Sequence, residues 1–203
     1  MDDPEALHDT RPTPLEAYYA RPLLDDLRSR IPWLVSMMLV QSVSAVVMEH
    51  YETILRDDMT LAFFVPMLVA IGGSAGNQPG VAVTRALNGG AATRDDWRRM
   101  LSREARGALA TAVVLSAAAY LRVAAEASVS SAVVIALSAF VLVLLAACVG
   151  VLLSLGTSQV GVDPAHAAAP MVAAFADIMG LLVLFAFAAS TRLGLKEVQE
   201  RND

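Results

Sequence analysis

The sequence predicts an all-α integral membrane protein with five transmembrane helices per protomer. Three observations carry this. Of the 203 residues, 56% are hydrophobic and only 17% are charged, against about 45–50% and 25% in a soluble domain. The charge is concentrated in residues 1–30, 94–106 and 192–203. The apolar stretches between run ~20 residues or more, enough for a helix to cross a ~30 Å hydrocarbon core.

Taken in order, residues 1–30 read as a cytoplasmic lead-in. They open with Asp2, Asp3, Glu5 and Asp9 in a Pro-containing run, the composition of a mobile start. No basic stretch followed by an apolar one marks a cleaved signal peptide. PLEAYYARPLLDDLRSR then suggests a short helical or interfacial segment, with Tyr18, Tyr19 and Trp33 suited to the headgroup region. Residues 31–192 form the transmembrane domain. Its spans are Ile31 to Leu55, Met59 to about Leu87, about Glu104 to Val123, about Val129 to Leu155 and about Ala167 to Thr191. Residues 193–203 are a C-terminal tail.

Basic residues orient the spans. With the N-terminus inside, the inner side carries Arg11, Arg21, Arg28, Arg30, Arg85, Arg94, Arg98, Arg99, Arg103 and Arg106. The outer side carries Arg56, Arg122, Arg192, Lys196 and Arg201, half as many. The positive-inside rule therefore predicts a multi-pass cell (inner) membrane protein with a cytoplasmic N-terminus and an external C-terminus, surrounded by membrane lipid. Five spans enclose little space, so a homodimer of ten helices is expected. Alanines and glycines in spans three to five permit close helix contacts, between protomers or within one.

Several classes are excluded. The net charge of −5 reflects the tails, and no basic, aromatic-interleaved surface points to nucleic acid. Cys148 is the sole cysteine, which rules out an intrachain disulfide. His50 and His166 are isolated, and no nucleophile–base pair, phosphate-cradling loop or zinc spacing appears. The chain does not read as an enzyme.

Two places break the apolar pattern at depth. The first is GGSAGNQPG, Gly72 to Gly80, in a second span of about 29 residues where ~20 suffice. Irregular backbone inside a membrane is tolerated only when it is buried in protein or lines a water-filled cavity. Pro79 and Pro66 each lack a backbone donor. The glycines could simply let another helix approach. With Asn77 and Gln78 beside them, the stretch reads instead as a polar break in a pore-lining helix, in which Ser74, Gly76, Asn77 and Gln78 shape and hydrate the path.

The second place is Asp177 in the fifth span. A charge at the bilayer centre costs about 2.5–3.5 kcal/mol on insertion scales, and no Lys, Arg or His within an apolar span can pair with it. Water, protonation or a bound cation must satisfy it. Asn77 lies roughly 13 Å and Asp177 roughly 10 Å of helix from the same side of the membrane, so one shared site is expected. Ala169, Ala173 and Asp177 are spaced i, i+4, i+8 along one helix face. Small side chains at 169 and 173 leave backbone carbonyls accessible, and Pro170 releases the carbonyl of His166. A carboxylate with carbonyls and room for water suits a hard cation such as Mg²⁺, which is held largely through its own waters. Glu52 could concentrate cations at the outer mouth, as could Asp57 and Asp58 unless they are merely solvated. Asp163 before Pro164 reads as a helix cap or as part of the cytoplasmic mouth.

RIPWL, the YE pair, LAFFVPMLVAIGGSAGNQPGVAVTRAL, the DWRR run, GVDP and APMVAAFADIMGLL together resemble the membrane domain of MgtE magnesium transporters. The resemblance covers about residues 16–192 and extends to the eukaryotic solute-carrier relatives. It implies a five-helix protomer, a homodimer and a central ion pathway lined by the second and fifth helices. It also implies Mg²⁺ as the transported ion, with the pore aspartate at Asp177 and the carbonyl-contributing alanine at Ala173. Family members commonly have GGNxGNQ where this chain has GGSAGNQ, so Ser74 replaces an amide. Ala169 stands where an Asn often precedes the fifth-helix proline. The family's acidic N domain and paired CBS domains do not fit into thirty residues, so their gating by intracellular Mg²⁺ is not expected here. Three alternatives stay open: Na⁺- or H⁺-coupled Mg²⁺ exchange, transport of Mn²⁺ or Co²⁺, and a non-transporting membrane subunit.

Overall fold

The computed structural model describes residue 19 and residues 22–160 and 164–202. Among these, all regular structure is helical. Helix α1 spans Leu23–Gln41, α2 Val43–His50, α3 Glu52–Asp57, α4 Met59–Asn88, α5 Trp97–Ala124, α6 Val129–Gln159 and α7 Pro164–Asn202, with a 3₁₀ turn at Arg94–Asp96 before α5. Among the described residues, five segments are long and apolar enough to cross a membrane: Leu23–His50, Met59–Asn88, Arg94–Ala124, Val129–Gln159 and Ala167–Thr191. Residues 1–38 and 39–203 form two compact units, and the second holds the features that follow.

The first span differs from its predicted form. Helix begins at Leu23, runs through Pro32, and is interrupted at Ser42 and again at Tyr51. The lead-in before Tyr19 and the loop residue Asp163 lie outside the described residues.

The second span also differs. The stretch from Gly72 to Gly80 is uninterrupted α-helix inside the 30-residue α4, so the predicted break in this helix does not exist. A proline removes one helical donor, a loss membrane helices absorb because neighbouring helices re-satisfy freed backbone groups. The glycines serve packing. A Cβ on Gly72 would lie 2.6 Å from Leu142 Cδ2, and one on Gly76 would lie 2.6 Å from Val172 Cγ1 and 2.7 Å from the Ala146 carbonyl oxygen. Gly80 meets the Gly150 carbonyl and Ser154 Oγ at 3.2 and 3.1 Å by the same construction. Residues 72, 76 and 80 share one helix face, as do 142, 146, 150 and 154. This is the small-residue contact that lets membrane helices approach backbone to backbone.

These contacts fix directions. Gly72, Gly76 and Gly80 meet successively later residues of α6, so α4 and α6 run parallel. Along α7 the order reverses, with Gly76 against Val172, Gly72 against Ala176 and Val69 against Gly180. Helix α6 packs on α4, α5 and α7 and is the central element. At one end, Asp58 Oδ1 caps α4 by accepting from Thr60 N at 3.0 Å, while its Oδ2 accepts from Ser131 Oγ at 2.6 Å. At the other end, the Arg94 guanidinium donates to the Ser158 carbonyl in the last turn of α6. A bulky core of Leu61, Leu68, Ile135, Leu142, Leu184 and Phe185 fills the Asp58 half. A smaller cluster of Val83, Val151 and Leu155 fills the Arg94 end. Backbones pinch together between the two.

Candidate functional site

Asp177 lies mid-way along the apolar part of α7 and is half-buried. Among the described residues it takes part in no ion pair. The side chain of Gln41, at the end of α1, lies within interaction range of its carboxyl group. Ala173 and Ala169 follow at one-turn spacing toward the start of α7, both half-buried, with Pro170 beside them. Among the described residues no three His, Cys, Asp or Glu side chains gather into a group that could hold a metal. A cation at Asp177 would therefore draw its remaining oxygens from water, amide or backbone carbonyls, as Mg²⁺ commonly does.

The antiparallel register of α4 and α7 separates residues expected at one depth. Ala176 neighbours Gly72 and Val172 neighbours Gly76. Asn77 is thus level with the residues around Val172, roughly 8 Å along the axis from Asp177. Helix α7 begins at Pro164, three residues before its apolar segment at Ala167, so equal counts from the helix ends do not give equal depths.

Asn77 instead joins a cavity of about 250 Å³ whose lining includes Gly80, Thr84, Arg85, Ser154 and Ala169. The Gly80 carbonyl there accepts from both Thr84 Oγ1 at 2.9 Å and Ser154 Oγ at 3.0 Å. The Asn77 and Ala169 predictions therefore meet, one level away from Asp177. Ser74 and Gln78 are exposed on the protomer, whereas Gly76 is buried at the contact with α6 and α7.

Glu52 stands apart from this group. It follows the Tyr51 interruption and pairs with Arg56 at 2.8 Å, with both side chains more than half exposed. Tyr51 stacks on Phe185 at 4.7 Å, and Phe185 is eight residues, about 12 Å, beyond Asp177 on α7. Asp58, predicted as a solvated or cation-gathering acid, is a helix cap with both oxygens engaged.

The family model for MgtE, described as a divalent cation transporter, matches residues 65–187. The chain belongs to the MgtE family. That family comprises transporters rather than enzymes. The MgtE match takes in Ser74, Gly76, Asn77, Gln78, Ala169, Pro170, Ala173 and Asp177, and leaves Glu52 and Gln41 outside. The chain is 34% identical over 164 residues to the magnesium transporter MgtE of Thermus thermophilus, covering 79% of this chain and 36% of that protein. It is 26% identical to the Bacillus subtilis protein of the same name, and 23% to that of Enterococcus faecalis, with the same coverage. The chain thus spans about a third of the length of these MgtE relatives.

Sequence reasoning missed Gln41, Thr84, Arg85 and Ser154. An amide in the apolar run of the first span was the available signal for Gln41. Ser154 and Thr84 looked like ordinary small polar residues of membrane helices, and only the parallel register of α4 and α6 brings them to one carbonyl.

Proposed function

We propose that this chain moves Mg²⁺ across a cell (inner) membrane through a site built on Asp177. The observation that carries the reading is a half-buried carboxyl group in an apolar span, without a cationic partner among the described residues. Keeping such a group inside a membrane is costly, and residues of this kind mark ion pathways. Membership of a divalent cation transporter family and relatives named as magnesium transporters favour Mg²⁺ over other divalent ions. Ala173, Ala169 and Pro170 supply carbonyls on the same face. Asn77 and the α4–α7 cavity hydrate the path on the side of Arg85.

The working unit in this reading is a homodimer. Ser74 and Gln78 are polar, membrane-embedded and uncovered by their own protomer, an arrangement suited to a second copy or a water-filled path rather than to lipid. The N-terminus is cytoplasmic, on the basis of the arginines around Arg94–Arg106.

The test is Mg²⁺ flux into proteoliposomes by wild type and Asp177→Asn. Loss of flux in the variant is expected, and wild-type rates would sink the reading. Imposed Na⁺ and pH gradients then distinguish a channel-like path, which ignores both, from coupled exchange.

A further inference from the structure

We propose that the outward face of α5 binds anionic phospholipid, with Arg99, Arg103 and Arg106 taking the phosphate headgroup and the apolar residues beyond them lying along the acyl chains. Such binding requires α5 to cross a bilayer and does not involve Asp177. The geometry starts from the side of α5 that is used. Ala108, Ala112, Ala119 and Val123 are its buried residues. Ala112 packs with Val143 of α6, while Ala119 and Val123 join the cluster that holds Ile135 and Ala139 of α6. Arg99, Arg103 and Arg106 are spaced i, i+4, i+7, which puts them on one face, and at about 100° per residue that face is the opposite one. All three are exposed. Val113, Val114 and Leu121 continue the same face and are exposed as well. The strip therefore changes from guanidinium to hydrocarbon just after Arg106. Its arginine part is about 10 Å long, which suits a headgroup layer reached by snorkelling side chains. Its apolar part runs about 22 Å to Leu121, more than the ~15 Å of one leaflet's hydrocarbon.

The guanidinium groups are available. Arg103 enters no ion pair or hydrogen bond among the described residues. Arg106 uses only Nε, which donates to the Ser102 carbonyl at 3.2 Å. Arg99 lies 3.9 Å from Asp96 Oδ1 with its side chain 91% exposed, and the other Asp96 oxygen already accepts from Thr93 N and Oγ1. Across residues 94–106 five arginines outnumber three acids, Asp95, Asp96 and Glu104, and Glu104 projects away from the strip at this spacing. Planar guanidinium forks pair with phosphate oxygens two bonds at a time.

Charge decides between lipid and a second copy as the occupant. Two protomers sharing a membrane and a two-fold axis along its normal would meet through the same residues of each. On this face the contact would set the three arginines against their own copies. An anionic headgroup neutralises them instead, and its chains cover the apolar residues beyond.

The experiment is native mass spectrometry of the full chain in detergent, titrated with phosphatidylglycerol or phosphatidylcholine. Wild type is expected to prefer phosphatidylglycerol. An arginine at an anionic surface contributes about fivefold in affinity. Arg103→Gln should therefore weaken phosphatidylglycerol binding about fivefold. The triple variant Arg99→Gln, Arg103→Gln, Arg106→Gln should weaken it on the order of a hundredfold, with phosphatidylcholine unchanged. Lysine at all three positions keeps the charge but not the fork, and falls between. Arg122→Gln, at the other end of α5 where Arg122 pairs with Glu126 at 2.8 Å, should bind as wild type. Arg103→Gln alters one exposed side chain and decides the matter even where the triple variant fails to assemble. No preference in wild type, or a preference that survives the arginine substitutions, would overturn the proposal. Displacement of phosphatidylglycerol by an equal concentration of inorganic phosphate would also overturn it, by marking a site for a free anion. So would a triple variant that is monomeric where wild type is dimeric, which would mark a surface between copies.

Discussion

Gly76 on α4 and Gly150 on α6 meet backbone to backbone, so that a Cβ on Gly150 would overlap the Gly76 carbonyl oxygen. The obstacle is main chain on a packed helix, which no rotamer change relieves. Gly150→Ala is therefore expected to force α4 and α6 apart. Overpacking of this kind costs about 1–3 kcal/mol or more. Thermal unfolding in detergent should show a clear drop in Tm for Gly150→Ala. Gly73→Ala should melt as wild type or slightly higher, because a Cβ at Gly73 meets nothing within 4 Å and alanine is the better helix former. Equal melting of the two variants would contradict the contact.

Asp58 joins the start of α4 to the start of α6 through Thr60 N and Ser131 Oγ. Removing an N-cap side chain costs about 0.5–2 kcal/mol, and Asp58→Ala also takes one of the two partners of the Ser131 hydroxyl, which keeps its hydrogen bond with Ser128 Oγ at 2.7 Å. Ser131→Ala keeps the cap but removes the bridging bond, worth about 1.5–3 kcal/mol at most when its acceptor is charged, together with the hydroxyl's contact with Ser128 Oγ. Unfolding of the two single variants and the double variant should reveal positive coupling, with the double costing less than the sum. Strict additivity would mean that the hydroxyl and the carboxylate do not interact.

Arg94 acts at the opposite end, where its guanidinium reaches the Ser158 carbonyl and lies 3.4 Å from Ser158 Oγ. Cations at a helix C-terminus gain about 0.3–1 kcal/mol when exposed. The same contact ties the loop after α4 to the end of α6. Arg94→Ala should lower Tm modestly and accelerate proteolysis within residues 89–96, whereas Arg94→Lys should retain part of both. Unchanged proteolysis in the Ala variant would show that the contact does not hold the loop.

The five spans were legible because length and apolarity alone decide whether a helix can cross a bilayer. Asp177 was legible because a carboxylate in such a span is costly and needs a reason to be there. The role of Gly72–Gly80 was harder to read, because a polar break and a close helix contact use the same residue types. The decisive signal was spacing: Gly72, Gly76 and Gly80 repeat every four residues, which marks one helix face more than a bend. The approach of Gln41 to Asp177 was not legible in one sequence. It pairs the first and fifth spans, and nothing local to either encodes that adjacency. The depth of Asn77 failed for a related reason, since α7 starts at Pro164 and not at the edge of its apolar part.

Ion binding at Asp177 should be visible as stability before it is visible as flux. A ligand that binds only the folded protein stabilises it by RT ln(1 + [L]/Kd), about 2.7 kcal/mol at a hundredfold excess over Kd. Purified wild type in detergent should therefore melt higher with Mg²⁺ than with EDTA, in a concentration-dependent way. Asp177→Asn keeps the shape and a polar group but removes the charge, so its Tm should be insensitive to Mg²⁺ while staying close to that of the wild type in EDTA. Substituting Glu52, whose carboxylate pairs with Arg56, should leave the Mg²⁺ response intact. A Mg²⁺ shift that survives in Asp177→Asn would place the stabilising ion elsewhere on the protein.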